Sequence, residues 1–206
     1  MDELELLKQG WKRQEDVLPK LSYKEIYQMI LKKSSSIVKW IFVISIIEFL
    51  LWASLDIIFR VTGVHAEVEK ESMGTFSLIA SILSYVILIY FIIRFYLNYK
   101  KIQSTDSTKV LMENIIRTRR TVKQYIWINI SFFATLMFGT TLYMVFFTEE
   151  FQKNGGGETP IWLIIVVTLI TIGVFVGIIA LFYRLIYGIL TRRLKRNYKE
   201  LEKLEI

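Results

Sequence analysis

The stretch IFVISIIEFLLWASLDIIFR, residues 41–60, carries a carboxylic acid, Glu48, within an otherwise apolar run. A carboxyl group in hydrocarbon can hold a proton or a cation on a transport path, or it can fix helix packing through hydrogen bonds. The run extends from Ile37 to Phe59 with Glu48 in the middle, at a depth of about 16 Å for a rise of 1.5 Å per residue. A central acidic residue costs about 2.5–3.5 kcal/mol on insertion scales, so Glu48 is expected to face the bundle interior and to have a partner. Ser81, Ser84 and Tyr85 lie at matching depth in a second apolar run, Thr135 and Thr140 in a third, and Thr171 in a fourth. The long side chain of Arg94 can reach toward the same level, although it is also placed to snorkel to the inner surface. Glu48, Ser84, Tyr85 and Arg94 therefore form the candidate intramembrane polar site. Trp52 and Asp56 share the Glu48 face at i+4 and i+8, and Arg60 is spaced to pair with Asp56 near the end of the run.

Other chemistries have little to build on. The chain has one histidine, His65, and no cysteine, too few for a zinc or nonhaem iron site built on imidazoles, a haem thiolate or an iron–sulfur cluster. The signatures G-x-S-x-G, HExxH, Walker A and GxGxxG do not occur. Gly155 to Gly157 read as a turn, and the Ser34–Ser36 run with Lys39 offers a serine–lysine dyad without an evident pocket. No catalytic, cofactor-binding or metal-binding residue is assigned, no cofactor is expected, and the chain is read as no enzyme.

The elements that position these residues are four long apolar runs, about 37–59, 75–97, 125–147 and 161–183. Each reaches the roughly 20 residues needed to cross a hydrocarbon core, and a backbone in lipid must satisfy its own hydrogen bonds, which makes such runs helices. The expected fold is all-α: a polytopic membrane protein of four transmembrane helices with amphipathic cytoplasmic extensions. The expected organisation is an N-terminal helical segment over 1–36, a transmembrane domain over 37–190 that includes a helical loop 98–124, and a C-terminal helix over 191–206. The net charge of +7 follows topology. Lysine and arginine crowd into the N-terminal segment, the 98–124 loop and the C-terminal segment, while the other two loops hold Arg60, Lys70 and Lys153 alone. By the positive-inside rule both termini are cytoplasmic. Nucleic-acid binding is not expected. The first apolar run is too long for a signal-peptide core and should serve as an uncleaved anchor.

The polar extensions are patterned. Leu4, Leu7 and Trp11 share one helix face, and Pro19 ends that helix. Ser22 and Glu25 make a Ser-x-x-Glu capping box, with Leu21 and Ile26 as its staple; Ser34 to Ser36 are expected to bend or loosen the helix that follows. Thr105, Asp106 and Ser107 are N-cap candidates before a face of Leu111, Ile115, Thr118 and Val122, with Glu113 and Arg117 spaced to pair. Tyr187, Leu190, Leu194, Leu201 and Leu204 continue the fourth helix as a short heptad stripe with Asn197 at a core-type position, expected to dock on the N-terminal helix or on lipid headgroups. Pro160 suits the first helical residue of the fourth run. Gly173 and Gly177 form a GxxxG pair, suited to packing within the chain or to a homo-oligomer.

The segments MDELELLKQGWKRQ and LPKLSYKEIYQMILKKSSSIVKWIF resemble an uncharacterised family of small bacterial four-span inner-membrane proteins, over the whole chain. Such relatives sometimes carry a label as carotene-cleaving oxygenases. That chemistry needs iron held by four histidines, and His65 alone does not support it. Leu4, Leu7, Lys8 and Trp11 are also similar to the N-terminal helix of membrane-bound anti-sigma factors.

The expectation is a non-enzymatic protein of the bacterial inner membrane, with the lipid bilayer as one partner and a protein as another. The protein partner would be bound through cytoplasmic helices in a regulatory, scaffold or accessory role, with Leu4, Leu7, Trp11 and Tyr27 as the binding face. The alternative is a small transporter or channel using Glu48 as a proton or cation site.

Overall fold

A computed structural model describes residues 22–63, 74–147 and 160–203. They form four helices: α1 (Tyr23–Val61), α2 (Gly74–Gln103), α3 (Thr108–Phe147) and α4 (Ile161–Glu202). The helices run up and down in sequence. α1 and α3 each pack against both α2 and α4, and the two diagonals are much thinner contacts than the neighbouring pairs. Each contains a segment long and apolar enough to cross a membrane. The 42 residues of α4 span about 63 Å at 1.5 Å per residue, about twice the hydrocarbon thickness. The helices therefore continue well past one boundary of the apolar zone. That end, which carries Ser22, the 104–107 link and Lys203, is the basic end; the other is the far end.

Two different interiors follow. Toward the basic end the bundle is closed. Ile30, Val38, Phe95, Ile102, Leu111, Ile115, Val122, Leu194 and Leu201 are buried in one core. The expected α3 face of Leu111, Ile115, Thr118 and Val122 is entirely inside. The heptad stripe docks within the chain: Tyr187, Leu194, Asn197 and Leu201 are buried, while Leu204 lies outside the described residues. In the apolar zone the large side chains face outward instead, among them Ile47, Leu50, Ile82, Val86, Ile170 and Ile178. A surface this apolar is stable only against lipid or another protein.

Buried polar pairs lock the basic end. Asn197 Nδ2 donates to Ser34 Oγ at 3.0 Å, joining α4 to α1. Asn98 Nδ2 donates to Thr121 Oγ1 at 3.2 Å, and Asn114 Nδ2 to Thr105 Oγ1 at 3.1 Å. Ser34 therefore does not loosen α1, which runs unbroken through Ser34–Ser36; its hydroxyl is an interhelical anchor. The 98–124 loop narrows to residues 104–107, because α2 runs to Gln103 and α3 starts at Thr108. The capping box is present: Ser22 Oγ accepts from the Glu25 N–H at 3.3 Å and Glu25 Oε2 accepts from the Ser22 N–H at 2.7 Å. These hydrogen bonds hold the Glu25 carboxyl below its ordinary range. Arg117 and Glu113 pair at 3.0 Å. Pro160 is the N-cap of α4 and not its first helical residue as expected; the helix starts one residue later, at Ile161.

Candidate functional site

Glu48 sits between α1 and α4. Its carboxyl accepts hydrogen bonds from the Tyr183 hydroxyl through Oε1 and from the Tyr187 hydroxyl through Oε2, at 3.2 Å. The two tyrosines are four residues apart, so one face of α4 presents both. Tyr125 of α3 completes an aromatic cradle, its ring centroid 5.8 Å from that of Tyr183 and 5.6 Å from that of Tyr187. Phe91 and Phe95 of α2 meet the same ring edge-on at 5.1 and 5.4 Å. The Tyr125 hydroxyl is buried there with no hydrogen-bond partner among the described residues. One acid, three tyrosines and two phenylalanines from all four helices thus close the interior at this level.

This arrangement corrects the expected site. Tyr85 is not a partner of Glu48; its hydroxyl donates to Asp56 Oδ2 at 3.1 Å, and Asp56 also pairs with Arg60 at 3.3 Å. Arg94 stacks over the Tyr90 ring, 5.7 Å from its centroid. Ser84 lines a cavity farther along the bundle. Thr135, Thr140 and Thr171 return their hydroxyls to carbonyls of their own helices, the usual local solution for a threonine in a helix. The depth changes as well. Glu48 is level with Tyr125 and Tyr183, the first and last residues of the third and fourth apolar runs. It therefore lies toward the basic end of the apolar zone, not at its centre. The helices are not in register by the midpoints of their apolar runs, so equal depth in sequence did not mean contact. The i, i+4 tyrosines on α4 were the available signal, hidden because they stand where the hydropathy falls off.

Beyond the cradle, toward the far end, the four helices separate around a cavity of ≈ 300 Å³. Ser77, Ser81, Ser84 and Leu88 of α2 form one wall, and Asn129, Phe132, Phe133 and Leu136 of α3 another. Trp52 and Asp56 close it from α1, and Ile179 and Tyr183 from α4. The Tyr183 ring is shared: it lines the cavity while its hydroxyl holds Glu48.

Of the expected partner face, Leu4, Leu7 and Trp11 lie outside the described residues. Tyr27 is engaged inside the chain, where its hydroxyl donates to the Thr105 carbonyl at 3.0 Å and ties α1 to the 104–107 link. Burial, and then the negative charge of Asp106, hold that hydroxyl above its ordinary range. Tyr23 makes a parallel contact, 2.6 Å from Thr108 Oγ1. Gly173 and Gly177 do not pack within the bundle; a methyl group added at either would meet nothing within 4 Å. Among the described residues no three histidine, cysteine, aspartate or glutamate side chains converge as a metal site would require.

Comparison with curated proteins and with solved structures finds no significant match. A family model does match, over residues 24–206, which takes in all four helices, the tyrosine cradle and the cavity. The chain belongs to the family described as Domain of unknown function (DUF8845).

Proposed function

We propose that this is a non-enzymatic integral membrane protein of the bacterial inner membrane, with both termini in the cytoplasm, that serves a protein partner as a regulator, scaffold or accessory subunit. The observation that carries this reading is the basic end. All four helices project past the apolar zone as one closed bundle, locked by buried asparagine pairs. Its interior is filled, so whatever it does is done on its surface and through the segment that precedes Ser22. The positive charge gathered at that end supports its cytoplasmic placement. Tyr27 leaves the proposed binding face, since it is spent on the bundle; Leu4, Leu7 and Trp11 remain as anchors.

The test is crosslinked affinity purification from native membranes, with the full chain compared to one lacking residues 1–21. The cut stops at 21 because Ser22 caps α1 and Ile30 is core. A partner lost on truncation, and also lost with Leu7→Ala plus Trp11→Ala in the full chain, supports the reading. A partner retained in both cases moves the contact to the bundle surface. No partner in any form sinks the proposal.

A transport role through Glu48 is the rival reading, favoured by the cavity that ends on Tyr183. Below that cavity the interior is filled by Phe91, Phe95, Tyr125 and Tyr187, so transport would require these rings to move. Flux through liposomes that is lost in a folded Glu48→Gln variant would decide for it.

A further inference from the structure

The cavity above the tyrosine cradle has an unusual balance of polar groups. Ser77, Ser81 and Ser84 place three hydroxyls along one face of α2, at i, i+4 and i+7. None is hydrogen-bonded to another described residue. Elsewhere in the apolar zone Ser45, Ser54, Thr135, Thr140 and Thr171 return the hydroxyl to their own helix, while Ser131 and Thr168 stand singly without such a bond; among the described residues only here do three such hydroxyls line one cavity wall. Across the cavity, Asn129 donates its amino group to the Tyr125 carbonyl at 2.9 Å. Its side-chain oxygen has no partner among the described residues. Polar groups in hydrocarbon without partners are costly, so this wall is built for something that bonds to it.

The ionisable groups nearby are already engaged. Asp56 holds Arg60 and Tyr85, and Glu48 stands behind Tyr183 and accepts its hydroxyl. An ion entering the cavity would lose its hydration and find no unpaired opposite charge among the described residues that line it, which disfavours it. The rings of Trp52, Phe132 and Phe133 supply flat apolar surface beside the hydroxyls. The volume, ≈ 300 Å³, stands at the lower edge of the range of about 300–1,000 Å³ for small-ligand pockets. It suits one or two fused rings and excludes a whole phospholipid. A bare acyl chain would leave the serines unsatisfied.

We propose that this cavity is a binding site for an uncharged, ring-bearing lipophile with oxygen substituents, of the phenol or quinone type, its ring against Trp52, Phe132 and Phe133 and its oxygens accepting from the hydroxyls of Ser77, Ser81 and Ser84, with a phenol O–H able in addition to donate to the Asn129 side-chain oxygen. Trp52 makes the proposal measurable, because a quinone in the cavity quenches its fluorescence.

The experiment uses the full chain in phosphatidylcholine nanodiscs, with menadione, a neutral naphthoquinone, titrated as mole fraction in the lipid. Trp52→Phe identifies the part of the signal that belongs to the site. The expected result is saturable quenching of the Trp52 component. Ser81→Ala and Ser84→Ala should each weaken it about two- to tenfold, the cost of one hydrogen bond, and Ser84→Leu should remove it by filling the space. Naphthalene, the same ring system without oxygens, should compete at least tenfold less well. Quenching that does not saturate, or that all three serine variants leave unchanged, overturns the proposal. So does naphthalene binding as tightly as menadione, which would make the site an apolar slot, or tetraphenylphosphonium displacing menadione, which would make it a cation site. If Ser84→Leu does not fold, judged by helicity and elution profile, the two alanine variants decide alone.

Discussion

Replacing Tyr183 with phenylalanine tests the central structural argument. The substitution removes one hydroxyl and keeps the ring, so the edge-on contact of Tyr183 with Tyr125, its tilted contact with Tyr187 and its place in the cavity wall are retained. What is lost is a single hydrogen bond to Glu48 Oε1, with Oε2 still held by Tyr187. Interhelical hydrogen bonds in membrane proteins average about 0.6 kcal/mol, with a maximum near 1.7 kcal/mol. The expected loss is therefore about 0.6–1.7 kcal/mol. Glu48→Leu should cost more, about 2–4 kcal/mol, because it leaves two buried hydroxyls without their acceptor. The assay is reversible unfolding in mixed micelles by a denaturing detergent, run as a double-mutant cycle with Tyr183→Phe, Glu48→Leu and both together, since a glutamine at 48 would still offer an acceptor oxygen. Direct contact predicts a coupling of at least about 0.5 kcal/mol, above the additivity expected of independent sites. Additive effects, or a Tyr183→Phe chain as stable as the parent, would refute the pairing of Glu48 with α4. A large coupling of Glu48 with Tyr85 instead would restore the partner expected from sequence depth.

Other outcomes follow from the basic end. Asn197→Val should destabilise the bundle by about 1–3 kcal/mol, since the Ser34 hydroxyl is left buried without its donor; combined with Ser34→Ala, part of the loss should return, as unfolding will show. Tyr27→Phe should leave helicity unchanged but raise amide exchange in residues 104–107, which its hydroxyl ties down. Gly173→Ala and Gly177→Ala should not destabilise the monomer, because the added methyls meet open space; a loss of crosslinked dimer would then report on an interface between copies. Ser22→Ala should cost the start of α1 about 1 kcal/mol. The Glu25 carboxyl is lowered on folding from its usual value of 4.5, so its contribution is present above that pH and is lost as pH falls through its folded value. Chemical shifts of residues 23–26 should move toward coil on acidification, and should fail to do so in Glu25→Gln.

Local chemistry was legible without a structure wherever it acts between neighbours in the chain. Four long apolar runs demand four helices, because the backbone in lipid has no other donor or acceptor. The capping box, the Glu113–Arg117 and Asp56–Arg60 pairs, and the buried face of Leu111, Ile115, Thr118 and Val122 all follow from spacings of three or four residues. That Glu48 needs a partner was equally legible, from the cost of its burial. Which partner was not. The choice between Tyr85 and the Tyr183–Tyr187 pair depends on how far each helix slides along its neighbours, and no spacing within one helix encodes that offset. Packing set it: Asn197 on Ser34 and Tyr27 on Thr105 fix α1 against α4 and against the link, and this brings Glu48 level with the end of the fourth apolar run. The same offset placed Ser84 and Trp52 around a cavity instead of around the acid, and it left Gly173 and Gly177 on the outside. Periodicity dictated the faces of the helices, and tertiary packing alone decided which faces meet and at what height.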